Sequence, residues 1–507
     1  MSSTTESDFQ ELLGIIRSAC DLQAAAALLE WDQETYMPEA GTEARARQIA
    51  TLQSTSHELF VRDRTGELLE CMKDEYKDSM SFRASIVRVA ARDFDRARKL
   101  SPELVGEIAQ TTTRAKVSWR HAYSENKFDR FAGDLERIVG LCIQKAEAVG
   151  YTGHPYDALL EEYEPGVTAA QVKRIFDDLR ASLVPIVRAI ECATQPRNTF
   201  LFHSYDADIQ WDFGMEVLRD IGFDFQRGRQ DVSAHPFSTS FSMNDVRLTT
   251  RIHERNLTSG LFSSLHEAGH GMYEQGIDPE LGGTLLAQGT SLGMHESQSR
   301  LWENQIGRSR PFWLGYYHDL QSRFKQNLGS VSLEEFYRAI NRVQASPVRV
   351  EADEVTYNLH IMLRFELEML LIEEKIAIQE LPELWRDRME AYLGIRPESD
   401  TDGVLQDIHW ALGAIGYFPT YTLGNLMSAQ VFACAKSELG NLDEQIESRE
   451  FAPLREWLQA NVHHWGRKLS ADEIIEWMTK GEISAAPWLD YVRQKYGDIY
   501  GSLVPDS

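Results

Sequence analysis

The sequence predicts a mainly α-helical protein, and three observations carry that prediction. From Phe9 to about Glu147, apolar residues recur at three- and four-residue spacing, as in Leu12, Ile15, Ile16, Cys20, Leu22 and Ala26. Period-two runs of β-branched residues are scarce there. Only His235 to Ile252 changes period: Phe237, Ser238, Thr239, Ser240, Phe241 and Ser242 precede an Asn244-Asp245 turn signal, and Val246 to Thr249 follow it. That stretch reads as a β-hairpin set among helices, and an exposed strand edge can take up an extended peptide by β-augmentation.

The helices break at Met37-Pro38, Ser101-Pro102 and His154-Pro155, and no repeat period or low-complexity linker separates a free domain, so they are expected to pack as one body. With 507 residues, 43% hydrophobic and 10% aromatic, the chain is neither a disordered segment nor a disulfide-stapled miniprotein. Its 52 Lys and Arg against 78 Asp and Glu leave a net charge of −26, which argues against nucleic acid and anionic membrane as partners. The five cysteines, Cys20, Cys71, Cys142, Cys192 and Cys434, are scattered and form no C-x-x-C pair, so reduced thiols in a cytoplasmic setting are expected. The opening Met-Ser-Ser-Thr-Thr-Glu has no basic and apolar leader pattern, and no stretch reaches roughly 18 uninterrupted apolar residues, so no membrane span is expected.

The strongest chemical signal is His266-Glu267-Ala268-Gly269-His270, an H-E-x-x-H pattern. With 14 His and 78 acidic residues, a shuffled chain would show such a pattern roughly 0.06 times, so coincidence is disfavoured. Leu261, Phe262, Leu265, Ala268, Met272 and Tyr273 follow helical spacing, and Gly276 stands where a helix stop belongs. Residues i and i+4 lie on one helical face about 5–6 Å apart, so His266 and His270 can converge on one tetrahedral Zn2+. Glu267, about 100° around the helix, can reach a water at that ion.

A catalytic zinc needs a further protein ligand and one open position. Glu274 lies too far along the same helix, so the ligand should come from another. A second helical pattern, Ser291 to Trp302, offers both His295 and Glu296; neighbours on a helix diverge by about 100°, so only one can face the ion, and spacing does not choose between them. The same stretch contains Gly289-Thr290-Ser291-Leu292-Gly293, a match to the G-x-S-x-G nucleophile elbow. That elbow requires a parallel β/α succession the chain lacks, and Ser291 is better read as a helix N-cap.

Six ordered segments resemble the motif set of the carboxypeptidase Taq family of zinc metallocarboxypeptidases. They are His235-Pro236-Phe237, Asp245 to Thr249, His266 to His270, His295 to Gln298, Val348 to Asp353 and Gly403 to Trp410. Further similarity at Trp31-Asp32-Gln33, Tyr156 to Leu160 and Gly416 to Tyr421 extends it over essentially the whole chain; Val348 stands where the family usually has Ile. The resemblance implies a large helical metallopeptidase fold with a central substrate cleft. It implies one catalytic domain over 1–507, with a helical part of about 1–195 covering the cleft and a zinc-site part of about 196–507. It also implies a homodimer that removes single residues from free peptide C-termini with broad specificity.

By the same match His266, His270 and Glu296 become the zinc ligands and Glu267 the general base, with Co2+ a candidate substitute for Zn2+. Arg349 is expected to hold the substrate's terminal carboxylate, the competing role being an ion pair with Asp353. Tyr421 and His409 are candidate donors to the tetrahedral oxyanion. Asp353 is a candidate to orient a ligand histidine. His235, Asp245 and Arg247 are candidate cleft residues, or else they stabilise the hairpin. The alternative activity is a helical zinc oligopeptidase or dipeptidyl carboxypeptidase, and a rival of another class is a silent binding scaffold, which an intact Glu267 disfavours.

Overall fold

The computed structural model describes residues 3–74 and 80–501. Helices dominate, and one three-stranded sheet accompanies them among the described residues. The helices used below are α1 (Ser3–Thr35), α2 (Thr42–Phe60), α3 (Ala169–Cys192), α4 (Ala207–Ile221), α5 (Ser259–Gln275), α6 (Leu292–Arg300), α7 (Tyr357–Ile372), α8 (Leu381–Leu393) and α9 (Pro419–Leu439). The strands are β1 (Gly228–Val232), β2 (Ser238–Ser242) and β3 (Asp245–Thr250).

The chain divides into two compact units, each built from three separate segments. The first contains residues 1–98, 198–337 and 431–480, and the second contains 99–197, 338–430 and 481–507.

In the first unit, α1 places Phe9, Leu12, Leu13 and Ile16 against Leu68, Leu69, Met72, Ile86 and Leu286. Burying such a side chain contributes about 1.5–3 kcal/mol, so this face fixes the helix. By length and composition alone, residues Glu6–Thr35 of α1 could cross a membrane, a property the broken apolar runs did not suggest. In the fold, α1 packs on α2 and β2.

The expected hairpin is present as β2 and β3, antiparallel, with Thr239 opposite Arg247 and an irregularity between Ser240 and Ser242. β1 pairs parallel with β3 on its other side, so β3 is central. Gly228-Arg229-Gln230-Asp231-Val232 shows no alternation and was not legible as a strand. Its place depends on Gly228, where a Cβ would lie 2.4 Å from the Val246 carbonyl oxygen.

In the second unit, Phe176 of α3 and Tyr156 both pack edge-on against Phe365 of α7, with centroids 5.4 and 5.5 Å away. Glu368, also on α7, is fully buried and accepts hydrogen bonds from the Tyr156 hydroxyl (2.6 Å), the Trp410 indole (2.8 Å) and the Gly416 amide (3.1 Å). Those bonds anchor the loop that carries His409.

Candidate metal centre and arginine cluster

The candidate metal centre lies in the first unit. α5 forms over the H-E-x-x-H residues and stops at Gly276, as the sequence predicts. Gly276 has ordinary helical φ; glycine is needed because a Cβ would lie 2.4 Å from Nδ1 of His463. At Gly269 a Cβ would meet the Gln298 carbonyl oxygen at 2.5 Å and Ser299 Cα at 2.6 Å. The α5 and α6 backbones therefore touch, and Glu296, two residues before Gln298, is carried to the histidine pair.

Nε2 of His266 and Nε2 of His270 each lie 3.6 Å from Oε2 of Glu296. One donor atom from each of the three residues falls within 4.8 Å of the others. A tetrahedral ion with bonds of about 2.0–2.1 Å sets its ligand atoms roughly 3.3 Å apart, so this donor set fits a metal with little adjustment. Two nitrogens and one carboxylate oxygen leave the fourth position open, the pattern of a catalytic site. Ser291 caps α6, its hydroxyl accepting from the Met294 amide at 3.0 Å, which disposes of the nucleophile-elbow reading.

Neighbouring groups hold the ligands. Nδ1 of His266 is 2.9 Å from Oε2 of Glu303, and Nδ1 of His270 is 2.7 Å from Nδ1 of His295. Arg300 donates to Glu296 Oε1 at 2.7 Å and to Glu303 Oε2 at 3.2 Å. Burial, aided by the Glu296 and Glu303 charges, pushes Glu267 up to about 7. Burial brings His270 down to about 3. Burial alone would raise Glu303, but Arg300 and His266 hold it down at about 2.

The second unit contains a cluster of different sign. Arg349 is buried and donates through Nε and Nη2 to Oδ1 of Asp407, at 3.0 and 2.7 Å, and through Nη1 to the Tyr357 hydroxyl at 2.8 Å. Arg364, fully buried, donates to Oδ2 of the same Asp407 at 2.7 Å and to Gln406 at 2.8 Å. The two guanidiniums hold Asp407 well below the usual carboxylate range against the effect of burial. The Arg349 guanidinium also stands over the ring of Tyr421, at 5.1 Å. The Tyr421 hydroxyl lies 3.3 Å from Nε2 of His409. Burial, with Arg349 and Arg364 nearby, lowers His409 to about 4.

The remaining candidates are placed as follows. Arg349 pairs with Asp407 rather than Asp353. Asp353 caps the start of α7, accepting from the Val355 and Thr356 amides at 2.9 and 3.0 Å, so the expectation that it orients a ligand histidine is not met; Glu303 has that position at His266. Asp245 and Arg247 form a two-bond ion pair on β3, at 2.9 and 3.1 Å, and the Arg247 guanidinium lies 4.3 Å from the Trp31 ring centroid. The His235 side chain is exposed.

Residues 11–496 match the family model described as carboxypeptidase Taq (M32) metallopeptidase. The chain belongs to that family. It is 40% identical over 510 residues to thermostable carboxypeptidase 1 of Thermus thermophilus, covering 98% of this chain and 100% of that one. It is 35% identical over 492 residues to carboxypeptidase 1 of Bacillus subtilis, covering 97% and 98%. The crystal structure of the M32 carboxypeptidase from Deinococcus radiodurans superposes with a TM-score of 0.95 at 41% identity, covering 98% of this chain and 100% of that one. The protein is thus a metallocarboxypeptidase with the mainly helical fold of the M32 enzymes.

Sequence reasoning did not single out Arg300 or Glu303, and it weighed Glu274 and His295 only as metal ligands, not as the hydrogen-bonded pair they form. Glu296, Arg300 and Glu303 stand at i, i+4 and i+7, a stripe that could have been read from the sequence. The chain over Leu301–Ile306 is π-helical, and Glu303 within it still meets both Arg300 and His266.

Proposed function

We propose that this protein is a zinc-dependent carboxypeptidase that releases single residues from free peptide C-termini with broad specificity, Co2+ being able to replace Zn2+. The observation that carries the reading is the convergence of His266, His270 and Glu296 beside a buried Glu267. When bound, zinc supplies Lewis acidity, polarising the scissile carbonyl and acidifying water. Glu267 takes the proton of the attacking water at its carboxylate and returns it to the leaving amine. Tyr421 and His409 are the proposed donors to the developing oxyanion.

Arg349 is the proposed anchor for the substrate carboxylate. In its support, among the described residues Arg349 and Arg364 form ion pairs with Asp407 alone, so two positive charges face one negative there, and a substrate carboxylate would supply the second. His235, Asp245 and Arg247 are proposed to line the substrate path along the hairpin. The two units interleave along the chain, which supports one catalytic domain over 1–507. Five free cysteines support a cytoplasmic location. A homodimer is expected, and light scattering of the eluting protein would show it.

The test is mass spectrometry of products from an N-terminally blocked peptide, supplied as free acid and as amide, with and without chelator and restored zinc. A chelator-sensitive ladder of single losses from the free acid alone is expected. Internal cuts or dipeptide release would replace the reading with an oligopeptidase or dipeptidyl carboxypeptidase.

A further inference from the structure

We propose that Glu274 and His295 are positioning residues for the metal site: Glu274 fixes His295, and His295 fixes the tautomer and ring orientation of His270. The inference rests on the metal-site reading above.

The argument follows one proton at a time. Nε2 of His295 lies 2.8 Å from Oε1 of Glu274, a buried carboxylate oxygen that also accepts the Gly289 amide at 3.1 Å. Because that oxygen is already arranged as an acceptor by the Gly289 amide, the geometry favours the His295 tautomer with its N–H on Nε2 and with Nδ1 as acceptor. That Nδ1 is 2.7 Å from Nδ1 of His270, and two imidazole nitrogens at hydrogen-bond distance share one proton, which must then be on His270. The remaining nitrogen of His270, Nε2, is left with its lone pair free, and it is the one that points to Glu296. A carboxylate two rings away thus decides which His270 nitrogen can bind a metal.

Packing holds the intermediate ring in place. The Tyr273 ring lies 5.2 Å from the His295 ring, and a Cβ on Gly289 would come within 2.5 Å of His295 Cδ2. His266 differs, since it meets its carboxylate, Glu303, directly. The same outcome is reached by one hydrogen bond at one ligand and by two in series at the other.

The experiment measures zinc affinity of the full chain by competition with a chromophoric chelator, for the parent, His295→Phe, Glu274→Gln and the double variant. His295→Phe is expected to weaken affinity about 10- to 100-fold, and Glu274→Gln to weaken it in the same direction. The double variant should be no weaker than the more damaged single one, because both act through one chain of bonds. Unchanged affinity in the singles, or additive losses in the double, would overturn the proposal. A parent that takes up no zinc would overturn the metal-site reading instead. Thermal unfolding of each metal-free protein checks the fold; where His295→Phe does not fold, unchanged affinity in the isosteric Glu274→Gln is enough to refute the idea.

Discussion

Around His266 and His270, Arg300 and Arg308 pair with Glu296 and Glu303 while Glu267 and Glu274 are buried on the same helix as the histidines, whereas around Asp407 the guanidiniums of Arg349 and Arg364 share one carboxylate. Both groups are removed from water, where an unbalanced charge costs several kcal/mol. The first is short of positive charge and the second of negative. A cluster left unbalanced in a buried setting is stabilised by a ligand of the missing sign, which is the physical basis of the proposed metal site in the first case and of the proposed carboxylate anchor in the second. The two also differ in construction: the candidate metal ligands sit on two helices in backbone contact at Gly269, while the arginine cluster is assembled from a short turn, a helix and a loop.

The largest effect separates binding from chemistry within the metal centre. Glu267→Gln should lower kcat roughly 100- to 10,000-fold while zinc content, measured by elemental analysis, stays at the parental level. Loss of zinc along with activity would make Glu267 part of the binding set and break the distinction.

The next effect concerns the positive cluster and is read as stability against pH. His409 is lowered from 6.5 to about 4, so the unfolded chain takes up a proton there before the folded one. Its contribution is present above pH 6.5 and is lost as pH falls toward about 4. It amounts to about 3 kcal/mol at most. Urea unfolding of the parent and of His409→Gln, at pH 7 and pH 4, should show the variant losing less by about that amount; equal losses would detach His409 from the cluster's field.

Arg349→Lys keeps the charge but removes the planar fork. It should reduce kcat/KM for a free-acid peptide about 10- to 100-fold. A comparable loss with an uncharged small ester substrate would point to general damage and not to carboxylate recognition.

The smallest effect tests the two-helix half of the comparison. Gly269→Ala inserts a methyl group against the Gln298 carbonyl and should destabilise by about 1–3 kcal/mol. Zinc affinity should fall with it, since the α5–α6 contact positions Glu296. A stable variant with normal affinity would show that the two helices yield without moving their ligands.

Much of the metal centre was legible because one helix turn brings His266 and His270 together, and helical geometry is a local property of the chain. The hairpin was legible for the same reason. β1 was not, because a parallel strand is recruited by partners remote in sequence, and its own residues show no alternation. Glu303 lies 37 residues from His266 and Asp407 lies 58 from Arg349, separations at which spacing says nothing. Arg349 was singled out by its motif as the carboxylate anchor, and the competing ion pair with Asp353, the i+4 neighbour, is replaced in the structure by one with Asp407. The turn over Arg349–Glu351 is a short 3-10 helix, which does not bring residues i and i+4 into register.

By itself the sequence determined the helical class, the two histidines and the glutamate between them, the cap at Ser291 and the family, since each depends on residue identity at short fixed spacing. Only the tertiary structure decided how His295 and Glu296 divide the approach to the histidines, Glu296 meeting both Nε2 atoms and His295 the outer nitrogen of His270, which other groups hold each imidazole, and which carboxylate balances Arg349. Those outcomes depend on how closely two backbones approach and on which buried charges meet, and both are set by packing among segments far apart in the chain.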